Sequence, residues 1–432
     1  AKLVDSPYLP DGECIFQIND DGIQKVREFI EPLKFIVYDC HDKLENELET
    51  HFDDVRNEME NKILDYTDML LEIRVTQMKK NARIHFLIDR MIVDAWSSQI
   101  LQNEFLKFYY NPNEKVEPVG FSFREYVIAE KEFKSSELYQ QSKEFWMNKI
   151  ESFPLAPDLP LAKLSKEITN PEFVDLEYKI PKEAWDRLKQ FAGIHEVSGT
   201  SLLISLFSEV LGKWSKNSSF ALNLTMFNRL PFHEHVNDVI GDFTEINLLP
   251  VHLDLSKTYS ERLKAVHNEL WECLENRYFS GIEIIRELNK QEIGSNKGAM
   301  PIVFTSLLGH AGSGDDTNKI KTIYNKSRTS QVWLDLKVSE EEGGLSVLWT
   351  VVKDLFPDQM IENMFQMFCS LLDVEQIKSE ANHFNKLPVT DSETIKHVNN
   401  TERPYAKQCI SKRFEDYSAE NPNQIALKTS SM

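Results

Sequence analysis

The stretch Asp89-Arg-Met-Ile-Val-Asp94-Ala-Trp-Ser97 lies where a strand-like run gives way to a helix-like one. Upstream, Ile84, Phe86 and Ile88 alternate, which is the period of a strand over Arg83 to Ile88. Downstream, a helix is expected from about Asp94 through Tyr109. Two carboxylates five positions apart, and a hydroxyl three positions later, share this junction. Asp94, just ahead of a helix, suits an N-cap that accepts backbone N–H bonds. Asp89 suits a strand-end carboxylate paired to Arg90 or another arginine. Two carboxylates in one pocket could instead divide acid and base roles. These residues alone leave both readings open.

Outward from this junction the chain mixes strands and helices. Residues 13–18 and 34–39 read as strands, and Leu44, Leu48, Phe52, Val55, Met59 and Ile63 recur at helical spacing. Leu70 to Met78 reads as a strand and Phe123 to Ile150 as one helix. Three prolines in Phe153-Pro-Leu-Ala-Pro-Asp-Leu-Pro-Leu161 exclude a helix or a central strand. Residues 151–172 therefore read as a crossing between a first lobe, 1–150, and a second, 173–390. In the second lobe, strands are expected at Phe173–Ile180, Phe220–Phe227, Pro301–Leu307, Gln331–Lys337 and Leu345–Val352. Helices are expected at Ser198–Trp214, Thr258–Asn276 and Pro357–Leu372, the last with proline in its first turn. Gly309 to Asn318 is a Gly- and Asp-rich loop. Residues 391–432 read as a polar linker, Asn399 to Tyr405, then a helix over Ile410 to Leu427 that opens another unit.

Bulk composition narrows the function. With 432 residues, 41% apolar, the chain is long enough for two or more packed units. A net charge of −20, with Lys and Arg interleaved among Asp and Glu, disfavours nucleic acid as a partner. No apolar run of membrane-spanning length is present, and the opening Ala1-Lys-Leu-Val-Asp-Ser-Pro lacks a signal-peptide core. Five scattered cysteines without CxxC spacing suggest a reducing cytoplasm and no zinc site. His233 and His235 are the one close histidine pair, and Pro-Phe-His-Glu-His reads as a solvated loop rather than a metal site.

Three further groups could carry chemistry. Asn223, Thr225 and Asn228 interrupt an apolar strand, and Arg229 follows. An arginine there can hold a buried carboxylate bidentately, with Asp94 as the expected partner. Thr305 and Ser306 end the apolar run Pro301-Ile-Val-Phe. Gln331-Val-Trp-Leu leads to Asp335, thirty positions beyond Thr305. A carboxylate after Val-Trp-Leu is expected to be partly desolvated, which raises its pKa toward a range useful for moving protons. A plain Thr–Asp hydrogen bond tying two strands together fits the same residues.

Taken together, these residues resemble the heterocyclization domains of nonribosomal peptide synthetases. That family carries Asp-x-x-x-x-Asp-x-x-Ser where condensation domains carry His-His-x-x-x-Asp-Gly. Asp89, Asp94 and Ser97 match the three fixed positions, so Asp89 and Arg90 stand where histidines would. The Pro-rich crossing, Asn223 to Arg229, Gly241-Asp-Phe-Thr244, Val303-Phe-Thr-Ser306 and Gln331-Val-Trp-Leu-Asp335 resemble further family motifs in order. Asn399-Asn-Thr-Glu, Phe414-Glu-Asp-Tyr and Asn421-Pro-Asn-Gln-Ile-Ala426 resemble the entry to an adenylation domain. Such domains usually carry about seventy more residues ahead of the point where Ala1 falls. Those residues would supply a strand, a helix and part of the acceptor tunnel.

The resemblance implies an α/β (α+β) fold of two chloramphenicol-acetyltransferase-like lobes, a V-shaped pseudo-dimer with a central tunnel. Upstream and downstream carrier domains would deliver substrates on 4'-phosphopantetheine arms, with no covalently bound cofactor and no metal. An adjacent adenylation domain is implied, and neither nucleic acid nor membrane is an expected partner. The implied reaction condenses an acyl or peptidyl thioester with carrier-bound Cys, Ser or Thr, then cyclodehydrates the product to a thiazoline or oxazoline. The resemblance assigns Thr305 and Asp335 to catalysis. It makes Asp89, Asp94, Ser97, Asn228, Arg229, Gln331 and Ser306 motif or structural residues around the site. An amide-forming condensation domain, an inert carrier-docking scaffold and a free acetyltransferase are the competing readings.

Overall fold

The computed structural model describes residues 16–18, 24–26, 35–60, 62–65, 70–114, 119–168, 171–291, 300–309, 323–327, 329, 331–380, 389–401 and 409–425. The chain divides into two compact units, residues 1–384 and 385–432. In the first unit, β1 (Phe16–Ile18) and β2 (Gln24–Val26) pair antiparallel. β3 (Phe35–Asp39) leads into α1 (Glu45–Glu60), whose Phe52, Val55 and Met59 are buried at helical spacing. The chain returns as β4 (Leu71–Gln77), parallel to β3, and turns into β5 (Ala82–Ile88), antiparallel to β4. These three strands form a sheet in the order β3–β4–β5. A parallel neighbour needs a crossover, which α1 provides. β5 runs out at Asp89, and α2 (Ala95–Tyr110) starts from an Asp94 N-cap.

The single helix expected over 123–150 is two, α3 (Phe123–Phe133) and α4 (Glu137–Lys149). Ser136 is the cause of the break. Its extended backbone and its Oγ, which accepts from Tyr139 N at 3.2 Å, start a new helix where the apolar spacing runs on unbroken. The Pro-rich crossing holds no helix or strand across 153–161 and is pinned to the second lobe instead. Ala221 N donates to Leu155 O at 2.8 Å, and Lys216 N donates to Asp158 O at 3.1 Å.

The second lobe is built on β6 (Phe173–Ile180), α5 (Lys182–Ile194), α6 (Gly199–Trp214), β7 (Ser219–Phe227), β8 (Thr244–His252), α7 (Tyr259–Glu275) and α8 (Gly281–Gln291). β9 (Ile302–Ser306), β10 (Leu334–Glu341), β11 (Gly344–Val352), α9 (Met360–Ser370) and α10 (Val374–Glu380) complete it. Its sheet has the order β6–β11–β10–β9–β7–β8. β9 runs parallel to both β7 and β10, and the other pairs are antiparallel. A two-residue turn joins β10 to β11. Glu342 and Gly343 both have positive φ, 49° and 79°, the twist a tight hairpin requires.

One face of this sheet is dry. Leu334, Leu336 and Val338 of β10 pack with Phe304, Trp349, Phe207 and Phe368, each 2% exposed or less. Burying side chains of this size stabilises the lobe by roughly 1.5–3 kcal/mol apiece. Residues on the opposite face alternate with these and carry the polar groups described below.

Two boundaries differ from expectation. β10 begins at Leu334 because residues 331–333 close a turn, Val332 N donating to Thr329 O at 3.1 Å. α9 begins at Met360 rather than near Pro357. Gln359 precedes it in a left-handed conformation (φ 61°), so the proline lies outside the helix. The loop expected over 309–318 lies, apart from Gly309, outside the described residues, as do 13–15 of the first expected strand.

The second unit contains α11 (Val389–Asn399) and α12 (Ile410–Glu420), with Tyr417 Oη donating to Gln424 at 2.8 Å. The helix expected over Ile410 to Leu427 ends at Glu420, where Asn421 caps it; residues 402–405 of the expected linker and 426–427 lie outside the described residues. Among the described residues no helix is long and apolar enough to cross a membrane.

Candidate active site

Two polar clusters stand out. The first joins the opening motif to the loop that follows β7. Asp94 is 1% exposed, and its carboxylate is filled with donors. Oδ1 accepts from Ser97 N at 2.6 Å and Arg229 Nη2 at 3.3 Å, and Oδ2 from Phe243 N at 3.3 Å. Arg229 Nη1 donates to Val236 O at 2.8 Å and Val239 O at 2.7 Å, and Nη2 donates to Ser97 Oγ at 2.8 Å. Ser97 Oγ donates in turn to Gly241 O at 2.8 Å. The guanidinium lies 3.9 Å from the centre of the Phe243 ring. Burial pushes its pKa down, and the Asp94 carboxylate opposes that shift.

A small apolar cluster of Val119, Phe121, Tyr126, Leu230, Val236, Val239 and Phe243 surrounds this ion pair. Gly241 is required there, because a Cβ would stand 2.3 Å from the Phe123 ring. Trp96 Nε1 adds a bond to Asn237 O at 3.0 Å. The structure thus brings Asp94, Ser97 and Arg229 together as a lock between the start of α2 and the loop after β7, with no side of the carboxylate open to a substrate.

Asp89 lies outside this lock. Its Oδ1 accepts from Met91 N at 2.9 Å and closes the turn before α2. Arg90, the partner considered for it, extends instead to Ser327 Oγ at 2.7 Å. Asn228 is also elsewhere: its Nδ2 donates to Glu245 Oε2 at 2.5 Å, and its carbonyl accepts from Tyr126 Oη at 2.7 Å. Glu245 is pushed up to about 7, first by burial and further by Glu130 and Glu283, while the Asn228 bond pulls it back. Gln331 is exposed in the turn before β10. Ser306 is half-buried, its Oγ accepting from Leu308 N at 3.4 Å. His233 stacks on Phe121 at 4.6 Å, and His235 lies 3.2 Å from Asp238 Oδ2. Among the described residues no group of three or more His, Cys, Asp or Glu side chains is placed to hold a metal ion.

The second cluster lies on the polar face of the large sheet. Thr225 of β7 stands opposite Thr305 of β9, and Thr305 opposite Lys337 of β10. Thr305 Oγ1 lies 3.1 Å from Thr225 Oγ1 and 3.0 Å from Asp335 Oδ1. One hydroxyl has one proton, so with Asp335 ionised, Thr305 donates to the carboxylate and accepts from Thr225. Burial pushes the Asp335 carboxyl up, while Lys337, the Thr305 bond and Arg90 pull it down. Burial pushes the Lys337 ammonium down, against the pull of Asp335 and Asp175. Lys337 and Arg90 are contributors that motif reading passed over. The signal for Lys337 was present, since a residue two places beyond Asp335 in a strand shares its face. Nothing in the sequence signalled that Arg90 approaches from the other lobe.

Here the comparisons with known proteins bear on the site. The Condensation domain family model matches residues 14–393, and the chain belongs to that family. It is 30% identical over 416 residues to bacitracin synthase 1 of Bacillus licheniformis, covering 95% of this chain and 8% of that protein. It is 30% identical over 358 residues to pyochelin synthetase PchF of Pseudomonas aeruginosa (strain UCBPP-PA14), covering 82% of this chain and 20% of that protein. The chain therefore spans only a small part of the length of these relatives. Among solved structures it is similar to the EpoB NRPS cyclization-docking bidomain from Sorangium cellulosum. The TM-score is 0.73 at 27% identity, over 88% of this chain and 76% of that one. This is a nonribosomal peptide synthetase domain of condensation type, a class that acts on substrates carried on phosphopantetheine arms.

Proposed function

We propose that this domain joins a carrier-bound acyl or peptidyl thioester to a carrier-bound cysteine, serine or threonine and cyclodehydrates the product to a thiazoline or oxazoline. The observation that carries the reading is the Thr305–Asp335 pair, a hydrogen-bonded hydroxyl and a burial-raised carboxyl on the polar face of the second-lobe sheet. The likeness to the EpoB cyclization-docking bidomain supports it, as do Asp89, Asp94 and Ser97, which match the heterocyclization motif that the sequence resembles. The neighbouring carrier and adenylation domains belong to the same proposal.

The chemistry divides in two. The acceptor amine attacks the donor thioester carbon, the C–S bond breaks and an amide forms. This step is downhill and can be served largely by positioning. The acceptor's side-chain sulfur or oxygen then attacks the amide carbon, and the former carbonyl oxygen must leave as water. That oxygen takes two protons, one from the attacking thiol or hydroxyl and one from an acid, the ring nitrogen gives one up, and a C=N bond forms. One carboxyl can do both, giving its proton to the departing oxygen and recovering one from nitrogen. A pKa raised toward neutrality suits both roles. Thr305 holds Asp335 in place for this exchange.

The test is to load the flanking carrier domains with defined aminoacyl groups and weigh the released product. Loss of one water beyond amide formation is expected. Asp335→Asn should slow that second loss by roughly a hundredfold and let the linear amide accumulate. A parent domain that releases only the linear amide would favour plain condensation. Cyclised product at the parent rate from Asp335→Asn would remove Asp335 from the chemistry.

A further inference from the structure

Lys337 is an unusual residue for the middle of a packed sheet. Residues 334, 336 and 338 of β10 are completely buried on the apolar face, so 335 and 337 project together from the other face. The parallel register sets Lys337 opposite Thr305, and the antiparallel register sets Asp335 opposite Thr350 of β11. Thr305 bridges diagonally to Asp335. Carboxyl, hydroxyl and ammonium thus occupy adjacent positions on one face. Thr350 in turn donates to Asp175 of β6 at 2.7 Å, and Asp175 lies 4.0 Å from Lys326. The charged groups facing Lys337 are Asp335 on its own strand, Asp175 on β6 and Arg90 from the turn before α2. Among the described residues no acceptor lies within ion-pair or hydrogen-bond distance of its ammonium. Lysine is rarely drawn into so enclosed a place without a partner.

We infer that Lys337 is a positioning residue for the cyclodehydration step, the fixed counter-charge against which the Asp335 carboxyl releases and recovers its proton. The inference rests on the function proposed above and deepens it. When Asp335 gives its proton to the departing oxygen, a carboxylate is left in a half-buried place. The ammonium, about two residues along the same face, steadies that charge without touching the substrate. When the ring nitrogen surrenders its proton, the carboxyl becomes neutral again and the pair returns to its starting state. Arg90 adds a second positive charge from the other lobe, so the junction motif reaches the chemistry through its arginine and not through its carboxylates.

Two measurements test this. The first is the pH profile of cyclised-product formation. Unit charges about 7 Å apart at a half-buried site should move the Asp335 limb by about one to two pH units. Removing a positive neighbour raises a carboxyl pKa, so the limb should move upward in Lys337→Gln and Lys337→Met and return in Lys337→Arg. A limb that stays put, or one that shifts equally in Lys337→Arg, overturns the inference and leaves the proposed function standing. The second measurement does not depend on cyclisation. Lys337 is labelled with acetic anhydride across a pH series, in the parent and in Asp335→Asn, and read by peptide mass. Loss of the carboxylate should let Lys337 react at lower pH by a comparable shift. An unmoved labelling curve means the two side chains do not share their charges, whatever product the domain makes.

Discussion

The Asp94–Arg229–Ser97 cluster and the Thr305–Asp335–Lys337 face each contain an acid near a base, and they differ in how completely the acid is satisfied. Asp94 accepts from two backbone N–H groups and a guanidinium, and Arg229 is itself fixed by two carbonyls and a ring face. Among the described residues Asp335 has one side-chain donor, Thr305, and a lysine that shares its face without reaching hydrogen-bond distance. A carboxylate with every lone pair filled is held in place. One with a single donor, partly desolvated, can exchange a proton. The first arrangement ties the turn before α2 to the loop after β7, and the second is the one to which the proposed chemistry is assigned.

Breaking the lock tests the comparison most severely. Arg229→Ala leaves Asp94 buried with its charge uncompensated and should cost about 3–5 kcal/mol, read as a fall in Tm. Arg229→Lys keeps the charge but loses the fork, and should recover part of that loss. An Arg229→Ala protein as stable as the parent would end the structural reading of the junction motif.

Glu245 sharpens the contrast, since it is a half-buried carboxyl that accepts from Asn228 and has two acidic neighbours. Its folded pKa of about 7 lies above the usual 4.5. The stability it contributes is therefore fully present below the unfolded value and lost as pH rises through about 7. Glu245→Gln should be on the order of 2 kcal/mol more stable than the parent at pH 8 and nearly equal to it at pH 4.5. A Tm difference independent of pH between 4.5 and 8.5 would contradict this.

The smallest effect is expected at Thr305. Thr305→Val keeps the shape and removes the bridging hydroxyl. It should lower the rate of cyclisation about tenfold, with a stability change of about 1 kcal/mol or less. A loss of stability without any change in product ratio would instead make Thr305 a strand tie.

Much of the fold was legible where the pattern was strong. β4, β5, α2, α6, β7 and β11 lie within a residue or two of where periodicity puts them. What escaped had a physical reason. β8 carries Pro250, which argues against a strand in general but is tolerated on the sheet edge that β8 occupies. α5 and α8 were passed over entirely. The break between α3 and α4 turned on one serine cap inside a continuous apolar row. At the site, residue type and spacing identified Asp94, Arg229, Thr305 and Asp335 as residues of interest, and only the family resemblance assigned Thr305 and Asp335 to catalysis.

Residue type and spacing by themselves therefore determined the family signature, much of the strand-and-helix order and most of the candidate side chains, because these depend on local periodicity and on short fixed intervals. Only the tertiary structure decided which carboxylate is saturated and which is held by Thr305 alone among the described donors. Hydrogen-bond saturation is set by backbone and side-chain groups brought in from elsewhere in the chain: the 236–243 loop around Asp94, and Thr305 beside Asp335. The same holds for Lys337, whose shared face follows from the strand period but whose enclosure depends on β6 and on Arg90 arriving from the other lobe.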